Sequence, residues 1–149
     1  SEPHPHPVPL DPEWHFLRDL ADHNEAMVYL AHSAMQMKHA HAGGDKAGAM
    51  DVAEDARKGK IATLLKSLFK DETAPQVPSL LRQQVDSILR LDGEPFEEAV
   101  RGFTLNHHRA AVVMIDHAKP RRAAVRALAK REREQYLREM KNAASTPRH

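Results

Sequence analysis

Apolar residues recur at helical intervals along most of the chain, whereas strand-like alternation of apolar and polar residues appears nowhere. Apolar side chains three, four and seven positions apart share one face of a helix, so each such segment predicts an amphipathic helix with a buried stripe. Gly and Pro clusters separate these segments and mark their ends. The pattern predicts five helices, at about residues 12–41, 46–70, 79–91, 95–118 and 121–142.

The predicted stripes supply enough apolar material for one core. They include Trp14, Leu17, Leu20, Met27, Ala56, Ile61, Leu65, Val85, Ile88, Phe96, Phe103, Ala110, Ala111, Val125, Leu128, Tyr136 and Leu137. Residues 1–11 alternate Pro with other residues and predict a flexible Pro/His arm. Residues 12–143 are expected to form a single helical-bundle domain, and residues 144–149 a disordered tail.

An internal repeat divides the helical region into two halves, at about residues 12–70 and 79–143. Residues 20–32 align with residues 105–117 at a constant offset of 85, with Leu, His, Ala, Val and His shared. Each copy is followed by a helix breaker and a second long helix. The chain is therefore predicted to be all-α, with two helical hairpins joined by the short third helix.

Composition excludes several classes of partner and site. The net charge of +1 provides no general attraction for nucleic acid, and no segment approaches the roughly 20 apolar residues of a membrane span. The absence of Cys excludes disulfides and thiolate ligands, and it suits an exported protein. The start of the chain is interpreted as a mature N-terminus after signal cleavage, or as an engineered boundary.

The unusual feature of the composition is eleven His and six Met, which are candidate ligands for a soft metal ion. Thioether sulfur and imidazole together favour Cu(I) or Ag(I) over hard ions. At the end of the first helix, His32, Met35 and His39 share one face, and Met37 and His41 lie on a neighbouring one. The alternative is a group of solvated polar residues with two packing methionines.

A second set of candidate ligands lies on the fourth helix. His107 and Met114 are seven residues apart, almost in line along the helix, and His117 follows within reach. Their face coincides with the apolar stripe of the same helix. The alternative is therefore a buried His with a hydrogen-bond partner and a Met that fills space in the core.

Spacing limits how the remaining histidines can combine. His23 and His32 are nine residues apart, as are His108 and His117, so neither pair can chelate one ion within a straight helix. Any shared site must draw ligands from another helix. His23 and Met27, four residues apart, form a weaker candidate pair.

Sequence motifs of known enzymes are absent. No Glu precedes a His by three residues, which argues against ferritin-type di-iron sites, and there is no His-Glu-x-x-His string or glycine-rich phosphate loop. The protein is expected not to be an enzyme. His4, His6 and His15, in the arm and the first helical turn, are candidates for loose capture of Cu(II) or Zn(II).

The second copy of the repeat resembles a known family. The Gly-Glu-Pro-Phe-Glu-Glu-Ala-Val string at residues 93–100, followed by His-His-x-x-Ala-x-x-Met at residues 107–114, is similar to the domain-of-unknown-function-305 family and to the related domain-of-unknown-function-4142 bundles. The resemblance implies a ferritin-like antiparallel four-helix bundle. It also implies an exported bacterial protein, and some members of the family are associated with copper binding and copper tolerance.

These observations predict an extracytoplasmic, periplasmic or secreted protein that binds Cu(I), with Ag(I) as a mimic, for copper buffering, transfer or tolerance. The candidate ligands are His23, Met27, His32, Met35, Met37, His39, His41, His107, His108, Met114 and His117. Other copper-handling envelope proteins are the expected partners, and a homodimer is left open. The alternatives are a helical protein-interaction module that binds no metal and a metal-responsive envelope sensor.

Overall fold

The computed structural model describes residues 10–38 and 44–145, and these residues form five helices and no strand. The helices are α1 (Pro12–Lys38), α2 (Gly44–Phe69), α3 (Ser79–Leu89), α4 (Gly93–Ala118) and α5 (Ala123–Ser145). The all-α prediction is confirmed, with four long helices and one short one in the predicted order. α5 runs two residues into the predicted tail, and the arm up to residue 9 and residues 146–149 lie outside the described residues.

Local chemistry explains several helix ends. The Asp11 carboxylate accepts a hydrogen bond of 2.8 Å from the Glu13 amide, which caps α1 ahead of the proline at its first position. Lys70 and Lys119 adopt left-handed backbone conformations directly after α2 and α4, a common way to end a helix. Gly93 opens α4 with a φ of +62°, a conformation that glycine adopts without steric cost.

The helices pack as two hairpins, because α1 contacts α2 most extensively and α4 contacts α5 next. α1 also packs against α4 and against the short α3. α1 and α4 run in opposite directions. The two hydrophobic clusters described below follow one another in opposite order along these two helices. The contact between α1 and α4 joins the two halves of the repeat.

Two clusters of buried side chains form the core. The first hydrophobic cluster contains Trp14, Phe16, Leu17, Leu20, Ile61, Leu65, Ala111, Ile115, Val125, Leu128, Ala129 and Tyr136. The second hydrophobic cluster contains Ala26, Met27, Leu30, Ala34, Val85, Ile88, Leu89, Phe96 and Phe103. Most residues of the predicted stripes therefore lie where the helical periodicity placed them.

Three predicted core residues, Ala56, Ala110 and Leu137, are exposed instead. In each case an adjacent residue takes the inward position, since one residue turns a helix by about 100°. Arg57 is buried in place of Ala56, and next to Ala110 and Leu137 the buried residues are Ala111 and Tyr136, which the predicted stripes already contained. Among the described helices, none combines the length and the hydropathy required to cross a membrane.

Candidate functional site

A layer of polar side chains separates the two hydrophobic clusters. α1 leaves the first cluster after Leu20 and joins the second at Ala26, and α4 leaves the second after Phe103 and joins the first at Ala111. Buried or half-buried polar side chains occupy these gaps and contact others on α2 and α5. We call this set the central polar layer: His23, Asn24, Glu54, Arg57, His107, His108, Glu132, Tyr136 and Glu139.

His23 and His107 make a reciprocal contact at the crossing of α1 and α4. Their rings stack with centroids 3.8 Å apart and planes 13° from parallel. His23 Nε2 donates to the carbonyl oxygen of His107 at 2.8 Å, and His107 Nε2 donates to that of His23 at 2.7 Å. The two residues in contact are 84 positions apart, whereas the sequence repeat has an offset of 85 and aligns His23 with His108. Burial lowers the pKa of both stacked imidazoles, that of His107 well below its ordinary 6.5.

His108 links this histidine pair to α5. Its Nδ1 lies 3.2 Å from His107 Nδ1, and its Nε2 lies 2.6 Å from Glu139 Oε1. The His108 ring meets the Tyr136 ring edge-on at 5.0 Å, and the Tyr136 hydroxyl donates to Asn24 Oδ1 at 2.7 Å. Both His108 nitrogens therefore have partners, and the ring is 1% exposed.

Arg57 on α2 is the charged centre of the layer. Its guanidinium donates to Glu54 Oε1 at 2.5 Å, to Glu132 Oε2 at 2.9 Å and to Glu139 Oε2 at 2.8 Å. It also lies 4.3 Å above the Tyr136 ring. Because buried charges are costly unless they are paired and hydrogen-bonded, these contacts hold α2 and α5 in one arrangement.

The surroundings of the three carboxylates in the layer shift their pKa values in different directions. Burial raises the pKa of Glu54 to about 7 and also raises the pKa of Glu132. Burial would raise the pKa of Glu139 as well, but the hydrogen bond from His108 and the charge of Arg57 lower it to about 2. Glu139 is therefore ionised at neutral pH, whereas Glu54 exchanges its proton near neutrality.

The candidate ligands at the end of α1 lie on the surface. Met35 is 42% exposed and Met37 57% exposed, and His32 is exposed on the turn before them. His32 Nε2 lies 4.0 Å from Asp55 Oδ1 on α2. The exposure of both thioethers argues against the alternative that they pack in the core of this chain. The other two predicted ligands of this set, His39 and His41, lie outside the described residues.

The candidate ligands of the second set are spread between core and surface. His107 has partners on both ring nitrogens, Met114 packs against the first hydrophobic cluster, and His117 is exposed. Met27 is fully buried in the second cluster, four residues from His23. The structure thus brings His23, His107 and His108 together but places the two methionines in different clusters. Metal ligation by these residues stays a prediction.

Four charged members of the layer were not identified from the sequence: Glu54, Arg57, Glu132 and Glu139. A usable signal was present, since Arg57 lies four residues before Ile61 and Glu132 lies four residues before Tyr136, on the same helix faces as those core residues. Fully buried Arg and Glu side chains occur almost only as pairs. Charged residues within two predicted core stripes therefore indicate an ion cluster between those helices.

The fold and the layer define an all-α bundle of two hairpins with a histidine- and carboxylate-containing interior. The structure is similar to the crystal structure of a DUF305 fragment from Deinococcus radiodurans, with a TM-score of 0.76 over 93% of this chain and 96% of that chain. The sequences are 17% identical, so the likeness concerns the fold, and the fold expected from the DUF305 resemblance is confirmed. No protein-family model matches the chain, and no curated protein matches it.

Proposed function

We propose that the protein binds a soft metal ion, Cu(I) in preference and Ag(I) as its mimic, in copper buffering, transfer or tolerance outside the cytoplasm. The observation that supports this most is the exposure of the Met35 and Met37 thioethers beside the exposed His32. We call these three side chains the exposed donor end of α1.

Methionines in a helical bundle normally fill gaps in the core. An exposed Met side chain contributes little hydrophobic stabilisation, because most of its apolar surface remains in water. Here the Met35 and Met37 side chains are both exposed, which leaves them available as metal ligands. Soft thioether ligands select Cu(I), and imidazole suits copper in either oxidation state.

Helix geometry brings two of the donors within one turn. His32 and Met35 are three residues apart on α1 and share a face, and neither is needed to fill the hydrophobic clusters. An exposed site of this kind suits buffering and transfer, since ligands from a partner protein can reach the ion before it leaves. His39 and His41 follow closely in sequence and are the proposed additional donors.

The test is an anaerobic titration of the full chain with Cu(I) against a competing chelator. We expect the double variant Met35→Leu/Met37→Leu to bind Cu(I) at least about tenfold more weakly, because each lost donor removes part of the coordination energy. A variant that also carries His39→Ala and His41→Ala should lose more. Met140→Leu, at a half-buried position on α5, is the matched control and should leave the affinity unchanged.

Equal Cu(I) affinity in the wild type and all these variants would contradict the proposal. Thermal unfolding supplies a second readout, because an ion that binds the native state raises the melting temperature by mass action. A melting temperature unaffected by copper would favour the alternative of an interaction module that binds no metal.

A further inference from the structure

We propose that the central polar layer contains a second metal site, in which His108, Glu54 and Glu139 bind a divalent ion of borderline character such as Zn²⁺. Each residue offers one ligand atom, and these atoms all lie within 4.8 Å of one another. The site is internal, uses no sulfur, and takes its ligands from α2, α4 and α5. It goes beyond the proposed copper function, which depends on different residues.

Counting protons along the histidines shows that one contact needs either an extra proton or a cation. Three contacts need one proton each: His107 Nε2 with the carbonyl oxygen of His23, His107 Nδ1 with His108 Nδ1, and His108 Nε2 with Glu139 Oε1. Two neutral imidazoles carry only two N–H protons. The third position, at 2.6 Å between an imidazole nitrogen and a carboxylate oxygen, therefore holds an extra proton or another cation.

Each of the two carboxylates has one oxygen that Arg57 does not use. Arg57 donates to Glu54 Oε1 and Glu139 Oε2. Glu139 Oε1 faces His108, and Glu54 Oε2 has no hydrogen-bond partner among the residues that the structure describes. The Glu54 side chain is 2% exposed, and a buried carboxylate oxygen without a partner is costly. A metal ion bound by this oxygen would remove that cost.

The charges of the layer also match a divalent ion. When Glu54, Glu132 and Glu139 are all ionised and Arg57 is protonated, the layer carries two excess negative charges that either two bound protons or a metal ion must balance. One divalent ion beside a neutral His108 cancels both. Burial of a net charge is strongly unfavourable, so the neutral arrangement is the one that a low-dielectric interior stabilises.

The donor set selects the class of ion. One imidazole nitrogen and two carboxylate oxygens suit Zn²⁺ and neighbouring divalent transition metals, and they offer nothing that favours Cu(I) or Ag(I). Surrounding residues already orient the ligands: Arg57 holds both carboxylates, and His107 contacts the second ring nitrogen of His108. Such supporting hydrogen bonds are a regular feature of protein metal sites.

The test is a Zn²⁺ titration of the full, metal-stripped chain against a chromophoric chelator. Loss of a supporting residue weakens metal sites by about 10–100-fold, so loss of a ligand in Glu54→Gln or Glu139→Gln should weaken the interior site by about a hundredfold or more. Glu134→Gln, at an exposed position on α5, is the matched control and should bind Zn²⁺ as the wild type does. Helical circular dichroism checks that each variant folds.

Crystals soaked with Zn²⁺ give a second measurement that needs no variant. We expect an anomalous-scattering peak within bonding distance of His108 Nε2. Peaks confined to surface histidines, or glutamine variants that bind Zn²⁺ as tightly as the wild type, would overturn the interior site. Met35→Leu/Met37→Leu should retain this Zn²⁺ binding while it loses Cu(I) affinity, so the two proposals fail separately.

Discussion

The exposed donor end of α1 and the central polar layer use histidine in opposite ways. At the end of α1, the His32 side chain is half-exposed, and Met35 and Met37 are exposed. In the layer, His107 and His108 are almost fully buried, and all four of their ring nitrogens have partners. A metal ion bound at the first place, as we propose, would exchange without disturbing the fold, whereas the second place is part of what holds the helices together.

The difference has a physical cause. The arrangement at the end of α1 follows from spacing along one helix, and little stability depends on it. The layer is assembled from four helices, and removal of one charged partner leaves the others buried and unpaired. Substitutions in the two regions should therefore separate effects on stability from effects on metal affinity.

The largest expected effect is that of Arg57→Met on stability. The substitution leaves Glu54, Glu132 and Glu139 without their guanidinium, and breaking a buried ion pair in this way costs about 3–5 kcal/mol. Urea denaturation should show this loss in the free energy of unfolding, or a chain that does not fold. Arg133→Met breaks only the exposed pair with Asp116 and should change stability little. Equal losses in the free energy of unfolding for the two substitutions would contradict the distinction between the buried ion cluster and the exposed pair.

The next effect concerns the pH dependence of the metal-free protein. Because the pKa of Glu54 rises from 4.5 to about 7 on folding, its proton stabilises the fold fully below about pH 4.5, and this contribution is lost as the pH rises through 7. In Glu54→Gln the side chain has nearly the same shape as that of Glu, but it does not ionise. Arg57, Glu132 and Glu139 face the same position in both proteins and remain unchanged.

We therefore expect urea denaturation in the presence of chelator to show that the free energy of unfolding of Glu54→Gln rises relative to that of the wild type. The rise should reach up to about 3 kcal/mol between about pH 5 and about pH 8. The same scan on Glu134→Gln, exposed on α5, should follow the wild type. A constant difference between Glu54→Gln and the wild type across this range would mean that Glu54 is ionised throughout.

A smaller effect is expected at the crossing of α1 and α4. His23→Leu removes the donor to the His107 carbonyl oxygen and the ring stack, which should cost about 1–3 kcal/mol in the free energy of unfolding. The same change at the exposed His32 should stay within about 0.5 kcal/mol. If urea denaturation gives the same loss in the free energy of unfolding for both leucine variants, His23 contributes no more to stability than the exposed His32.

The smallest effect on stability is expected for Met35→Leu/Met37→Leu. Both side chains are exposed, so the urea midpoint of the metal-free variant should match that of the wild type to within about 0.5 kcal/mol. Any loss of Cu(I) affinity in this variant then reports on ligation alone. A large drop in stability would instead indicate that the methionines pack against something outside the described residues.

The sequence was sufficient to predict the helices, because each helix buries an apolar stripe whose period can be counted. It also predicted the two hairpins through the repeat. It placed Ala56 inward where Arg57 is buried, and it extended the stripes by one exposed residue at Ala110 and at Leu137. These errors share a cause: small or apolar residues on both sides of a stripe leave its exact edge undefined.

The central polar layer could not be predicted as a unit, since its contacts join residues that are far apart in the chain. Arg57 meets Glu132 and Glu139 across 75 and 82 positions, and His23 meets His107 across 84. Spacing along a helix defines neighbours only within that helix. The exposed donor end, in contrast, is a local feature of α1, so it could be proposed from the sequence.

The most direct test of the copper proposal is X-ray absorption at the copper edge of the Cu(I)-loaded wild type and of Met35→Leu/Met37→Leu. We expect sulfur in the first coordination shell of the wild type and its loss, or a clear reduction, in the double variant, with Met140→Leu unchanged. A wild-type spectrum that contains only nitrogen and oxygen neighbours would contradict soft-metal binding by the exposed end of α1.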